Sequence, residues 1–133
     1  MLSENPSLAE IAAVFENDRF APPAAGCRVV EGCRGRAVCD MELSDVHRNA
    51  MGGVMGGAIF TLADFALAIA CNIGESPTVS VDHAISFLRS TKGSKLTATA
   101  TCDKPGSHLA FYTVVVEDDL GKRIARMTAT CYR

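Results

Sequence analysis

Across residues 56–71 (GGAIFTLADFALAIAC), Asp64 is the only charged side chain. Taking a carboxylate out of water without partners is costly, so an acid at this position has two readings. Either it faces a gap of solvent or a hydrogen-bond partner inside the fold, or its pKa is raised and it serves as a general base or nucleophile. Just upstream runs His47-Arg48-Asn49-Ala50-Met51-Gly52-Gly53-Val54-Met55-Gly56-Gly57. These glycines let backbone N–H groups approach a ligand closely, and at the positive end of a helix such groups suit an oxyanion. Taken alone, the same run also reads as glycines that turn the chain and an Asn49 that caps a loop.

The other chemistry-bearing side chains are scattered. His47 is expected to shape the loop, and His83 to be a sheet residue satisfied by hydrogen bonds. Met51, Met55 and Phe60 suit either an acyl pocket or the core. Cys27, Cys33, Cys39, Cys71, Cys102 and Cys131 include no C-x-x-C pair. Metal-finger spacing is therefore absent, and isolated thiols on apolar segments behave as small hydrophobes. No metal and no cofactor is expected.

Holding these groups in place takes a helix and a sheet. Residues 56–71 form an apolar helix of roughly 24 Å, short for a membrane span. Being apolar nearly all round, it is expected to be enclosed by the rest of the fold. Leu8, Ile11, Ala12 and Phe15 recur at helical spacing, and Ser7 with Glu10 makes a capping-box pattern, which predicts an N-terminal helix over about 7–18. Pro22, Pro23 and Gly26 break the chain, and residues 28–43 read as a strand or a hairpin bent at Gly32 or Gly35. Residues 44–57 read as a loop leading into the apolar helix, which ends at Gly74, Ser76 and Pro77. Strand-like runs at 78–89, 95–103, 109–118 and 123–132 follow with short breaks, predicting an antiparallel meander. Leu96, Ala98, Ala100 and Cys102 alternate with Thr97, Thr99 and Thr101, as in a strand with one buried face. The predicted architecture is a single α+β domain over 1–133: one long central apolar helix wrapped by an antiparallel sheet of about five to six strands.

Composition excludes some functions. Thirteen Lys and Arg against fifteen Asp and Glu give a net charge of -2, without the positive excess that phosphate-backbone binding requires, so nucleic acid is not an expected partner. The first ten residues carry acids and no positive side chain, unlike a secretory signal, so the expected location is the cytoplasm.

The order H-x-N, a Gly-rich turn, Gly56-Gly57-Ala58-Ile59-Phe60-Thr61-Leu62-Ala63-Asp64, then Ala66 and Ala68, resembles the hotdog-fold thioesterases, in the branch of phenylacetyl-CoA thioesterase-like enzymes. Val79-Ser80-Val81-Asp82 and Phe87-Leu88-Arg89 are also similar to that family. The resemblance implies a hotdog fold, acyl-CoA as substrate, and coenzyme A as product rather than as a cofactor. It places the catalytic acid at Asp64, the carbonyl-polarising backbone amide at Gly56, the amide side chain that orients water or substrate at Asn49, and a water-positioning serine at Ser80. Met55 and Gly57 flank the oxyanion amide. Family members usually carry a histidine where this chain has Met55; the backbone donor survives that change, and a side-chain orienting hydrogen bond does not. Arg48, Arg89, Lys92, Lys95 and Lys104 are candidates for the coenzyme A phosphates, and the turn Lys104-Pro105-Gly106-Ser107-His108 corresponds to a family turn that contacts the nucleotide and pantetheine.

Spacing adds an assembly. Gly56 and Asp64 lie eight residues apart, roughly 12 Å along a straight helix, so one carbonyl cannot touch both. If both act on it they come from two chains, and a two-fold dimer then holds two composite sites. The resemblance implies the same homodimer, paired again into a homotetramer in many relatives. The leading expectation is an acyl-CoA thioesterase. The alternative is an acyl-CoA-binding protein that kept the fold and lost turnover, and behind it a hotdog dehydratase, which fits less well because no histidine precedes the acid at the spacing such a dyad needs.

Overall fold

The structure is a computed structural model and describes residues 2–133; Met1, the first residue of the acidic N-terminal stretch, lies outside the described residues. Helix α1 (Leu8–Phe15) opens with the expected capping box, in which the Glu10 amide donates to Ser7 Oγ and the Ser7 amide donates to Glu10 Oε2. It ends earlier than 18 and buries only Ile11. Asp18 then accepts from the amides of Phe20 and Ala21 and starts a wide helical turn over Ala21–Ala25. Gly26 closes that turn with φ 81°, a left-handed conformation that favours glycine.

Strands β1 (Cys27–Cys33) and β2 (Arg36–Glu42) form a hairpin that turns at Gly35, φ 76°. Gly32 serves a different purpose inside β1. A Cβ there would sit 2.9 Å from Ile73 Cδ1 and 3.0 Å from Ile11 Cδ1, so its absence lets side chains from both ends of the helical layer close over the strand.

After the central helix α2 (Gly56–Asn72) come β3 (Val79–Phe87), β4 (Lys95–Lys104), β5 (Leu109–Asp118) and β6 (Arg123–Tyr132). The six strands pair antiparallel throughout, in the order β1-β2-β4-β5-β6-β3. The predicted meander holds for β4-β5-β6 and fails for β3, which pairs with β6 at the far edge while β4 returns beside β2. The connection over 88–94 therefore crosses the end of the sheet. It is pinned there to the β5–β6 turn, with Thr91 Oγ1 donating to Asp118 at 2.6 Å and Ser94 Oγ to Asp119 at 2.7 Å.

Helix α2 touches every strand. Ile59, Leu62, Ala63, Phe65, Ala66, Leu67, Ile69, Ala70 and Cys71 are buried, and Leu96, Ala98 and Ala100 of β4 and Val114 and Val116 of β5 meet them from the sheet. Fully burying a Leu- or Val-sized side chain contributes about 1.5–3 kcal/mol, so this layer dominates the stability. The enclosure is not complete, however. Gly57, Thr61, Asp64 and Ala68, at helical i, i+4, i+7, i+11 spacing, leave one stripe of α2 incompletely covered. Beside it, edge strand β3 exposes Val79, Val81 and Phe87. No described helix is long and apolar enough to cross a membrane. All six cysteines are free thiols, four of them buried.

Candidate active site

The loop before α2 is built around two polar residues. Ser44 caps a short helical turn over Asp45–His47, and His47 is buried. Its Nδ1 accepts the Ser44 amide at 3.0 Å, so Nε2 carries the proton and donates to the Ala25 carbonyl at 2.6 Å. The His47 carbonyl in turn accepts the Met55 amide at 2.8 Å. Both ring nitrogens are thus committed to holding the loop. Asn49 closes the next turn: its Oδ1 accepts the amides of Met51 (3.0 Å) and Gly53 (3.1 Å), and its own amide donates to the Gly53 carbonyl at 2.8 Å. The side-chain oxygen is spent on the loop, and Nδ2 remains as a donor without a partner among the described residues.

Helix α2 starts at Gly56 with Met55 as N-cap, and no side chain caps it. The amides of Ala58 and Ile59 bond back to the Met55 carbonyl. Those of Gly56 and Gly57 have no partner among the described residues, and so present two N–H donors at the positive helix end. Gly56 is glycine because a ring lies on it: a Cβ would meet Phe87 Cζ at 3.0 Å. Asn49, Gly53, Gly56, Phe87, Arg89 and Thr91 line one cleft of about 360 Å³. Met55 and Gly57 are exposed beside the same helix end, a Cβ on Gly57 would meet open space, and Arg89 is exposed at the cleft wall. Met51, 93% exposed, is not a core residue in this chain.

Asp64 opens onto a different cleft, of about 230 Å³, with Leu67, Ala68, Cys71, Thr78 and Ser80. Its side chain is 45% exposed. Burial pushes its pKa above the ordinary carboxylate range, His83 opposes that shift, and the charge of Asp18 adds to it. The structure therefore brings Asn49 and Arg89 to Gly56, and Ser80 to Asp64. It leaves Ser107 and His108 on an exposed turn apart from both clefts. That turn is held to the end of the chain, where the Arg133 amide donates to the His108 carbonyl.

One residue departs from its expected role. His83 is not satisfied by sheet hydrogen bonds: its Nε2 is shielded from solvent, makes no hydrogen bond, and stands 3.4 Å from Asp64 Oδ1. Its ring meets Phe60 edge-on at 5.2 Å. Distance in sequence concealed the pairing. Strand parity held the available signal, because His83 and Ile85 are the two most buried positions of β3, and so mark the face turned to α2.

The chain matches the family model described as Thioesterase superfamily over residues 51–125. It is 32% identical to the human protein Acyl-coenzyme A thioesterase 13 over 131 residues, 95% of this chain and 94% of that one. The solved structure of the E. coli PaaI protein from the phenylacetic acid degradation operon superposes with a TM-score of 0.86 at 30% identity, covering 96% of each chain. A Streptococcus mutans protein solved bound to acetyl CoA superposes with a TM-score of 0.74 at 26% identity, over 78% of this chain and 85% of that one. With a central helix laid on a six-stranded antiparallel sheet and likeness to the human and E. coli proteins over nearly its whole length, the chain belongs to the hotdog-fold thioesterase superfamily, in its PaaI-like acyl-CoA thioesterase branch.

Proposed function

We propose that this protein hydrolyses an acyl-CoA thioester to a carboxylic acid and coenzyme A, at a site assembled from two copies of the chain. The observation that carries the reading is the separation of the two half-sites: the free amide of Gly56 and the carboxylate of Asp64 stand on one helix and open onto different clefts. The incompletely covered stripe of α2 and the bare edge of β3 are the surfaces a second copy would cover, pairing edge to edge so that the joined sheet curls about both helices.

In this mechanism the thioester carbonyl accepts from the Gly56 amide, which stabilises the developing oxyanion. Asp64 of the partner subunit takes a proton from water as the water oxygen attacks the carbonyl carbon. The tetrahedral intermediate then collapses, the C–S bond breaks, and the proton passes to the departing thiolate. Asn49 Nδ2 orients the water or substrate, and Ser80 hydrogen-bonds the water beside Asp64. Met55 and Gly57 border the acyl group and Arg89 meets the coenzyme A portion, which Ser107 and His108, apart from both clefts of their own chain, reach only from another copy.

The test is a turnover screen over aryl-, short-, medium- and long-chain acyl-CoAs. A fall of about a hundred-fold or more in kcat is expected for Asp64→Asn, and hydrolysis at the parental rate by that variant overturns the mechanism. Met55, the N-cap of α2, makes no side-chain hydrogen bond and has no donor with which to orient a substrate, which favours a second reading, an acyl-CoA binder without turnover. Tight binding of a non-hydrolysable analogue by a parent protein that turns over no member of the panel supports it.

A further inference from the structure

The geometry points to His83 as the residue that positions Asp64: its Nε2 stands against one carboxylate oxygen and leaves the other for the attacking water. This rests on the reading of Asp64 as the general base. Three observations converge on it. His83 Nε2 lies 3.4 Å from Asp64 Oδ1, it is shielded from solvent, and it is without any hydrogen-bond partner. Leaving a buried ring nitrogen unpaired is unfavourable, and the carboxylate of Asp64 is the acid that stands against it. The ring is also held in place, packed edge-on against Phe60 one turn before Asp64 on the same helix. The side chain is only 19% exposed, while Asp64 is 45% exposed, so the histidine backs the acid from the protein side and the acid meets the cleft.

Few titratable groups surround the pair. Asp64 itself comes from α2, Asp18 follows α1 and its charge reaches Asp64, and Cys131 on β6 feels the Asp64 charge in turn. Asp82 adjoins His83 in β3, and alternation turns it to the opposite face, where it lines a groove with Phe111 and Thr130. The charge of His83 opposes the rise in the Asp64 pKa that burial and Asp18 impose. Its removal therefore moves the acid limb of the kcat/KM profile to higher pH.

The experiment compares His83→Phe, which keeps a ring against Phe60 and loses the donor, with His83→Gln, which keeps a donor and loses the charge. In the Phe variant kcat falls on the order of ten- to a hundred-fold, as a misplaced catalytic group requires, with KM within about twofold of the parent. The Gln variant regains most of the plateau kcat, and in both variants the limb lies at higher pH. A Phe variant with parental kcat and an unmoved limb overturns the assignment, as does a change confined to KM. Should the Phe variant not fold, the Gln variant decides alone, by whether its limb moves. Asp64→Asn separates the two readings: retained turnover there removes the hydrolytic mechanism itself, whereas a dead Asp64→Asn beside unaffected His83 variants removes only the role of His83.

Discussion

Gly56 and Asp64 stand on one helix, about 12 Å apart along its axis, and open onto different clefts of the same chain. A composite site predicts rescue between two inactive variants. Proline at Gly56 deletes the N–H donor at the first helical position, where proline is well tolerated, and the extended Met55 before it is compatible with a following proline. The Phe87 ring must move aside, and being half exposed it has room. Gly56→Pro and Asp64→Asn are each expected to be inactive. Refolded together at equal amounts, half the dimers are mixed and each holds one intact site, so activity per chain returns to about a quarter of the parental value. No recovery on mixing is the result expected of a site contained within one chain.

Asn49 divides its amide between two tasks, and one substitution separates them. Asn49→Asp keeps an oxygen to accept the amides of Met51 and Gly53 and loses the Nδ2 donor. The melting temperature is expected to stay within a few degrees of the parent, while kcat falls about tenfold or more. An aspartate variant with parental kcat would show that Asn49 only holds the loop.

The raised pKa of Asp64 ties activity and stability together with opposite signs. As a base it must be ionised, so kcat/KM is expected to rise with pH through a limb above the ordinary carboxylate value of about 3.9. A carboxyl group whose folded pKa exceeds its unfolded one binds more protons in the folded state, so ionising it costs stability. That cost is absent below the unfolded value and complete above the folded one. Asp64→Asn is therefore expected to melt above the parent at pH 7, by up to about a few degrees, with the difference fading towards pH 3. A parent that melts higher than the variant at pH 7 contradicts this balance.

Much of the architecture was legible because it rests on local signals. The capping box of Ser7 and Glu10, a hairpin bent at Gly32 or Gly35 and the apolar run of α2 each declare themselves within a few residues, and the structure puts the turn at Gly35. The loop carrying Asn49 and the acid at Asp64 were visible for the same reason. The placement of β3 was not, since it depends on Thr91 and Ser94 finding Asp118 and Asp119 on a turn made later in the chain. The open stripe on α2 was concealed because alanine and glycine count as apolar whether or not anything covers them. His83 was misjudged because strand parity says which residues share a face but not which helix residue that face will meet.

The far-edge position of β3 also sets an order of assembly. Its partners run from Val79 opposite Tyr132 to Phe87 opposite Ala125, so every pairing it makes spans a long stretch of chain. Such long-range contacts form slowly and late, after local hairpins. During synthesis the hairpin of β1 and β2 and helix α2 emerge well before β6 does, and Ser80 and His83 have no neighbouring strand until residues through Tyr132 have left the ribosome. The cleft at Asp64 is thus completed last, and a chain stalled short of β6 would carry Asp64 without the strand that backs it.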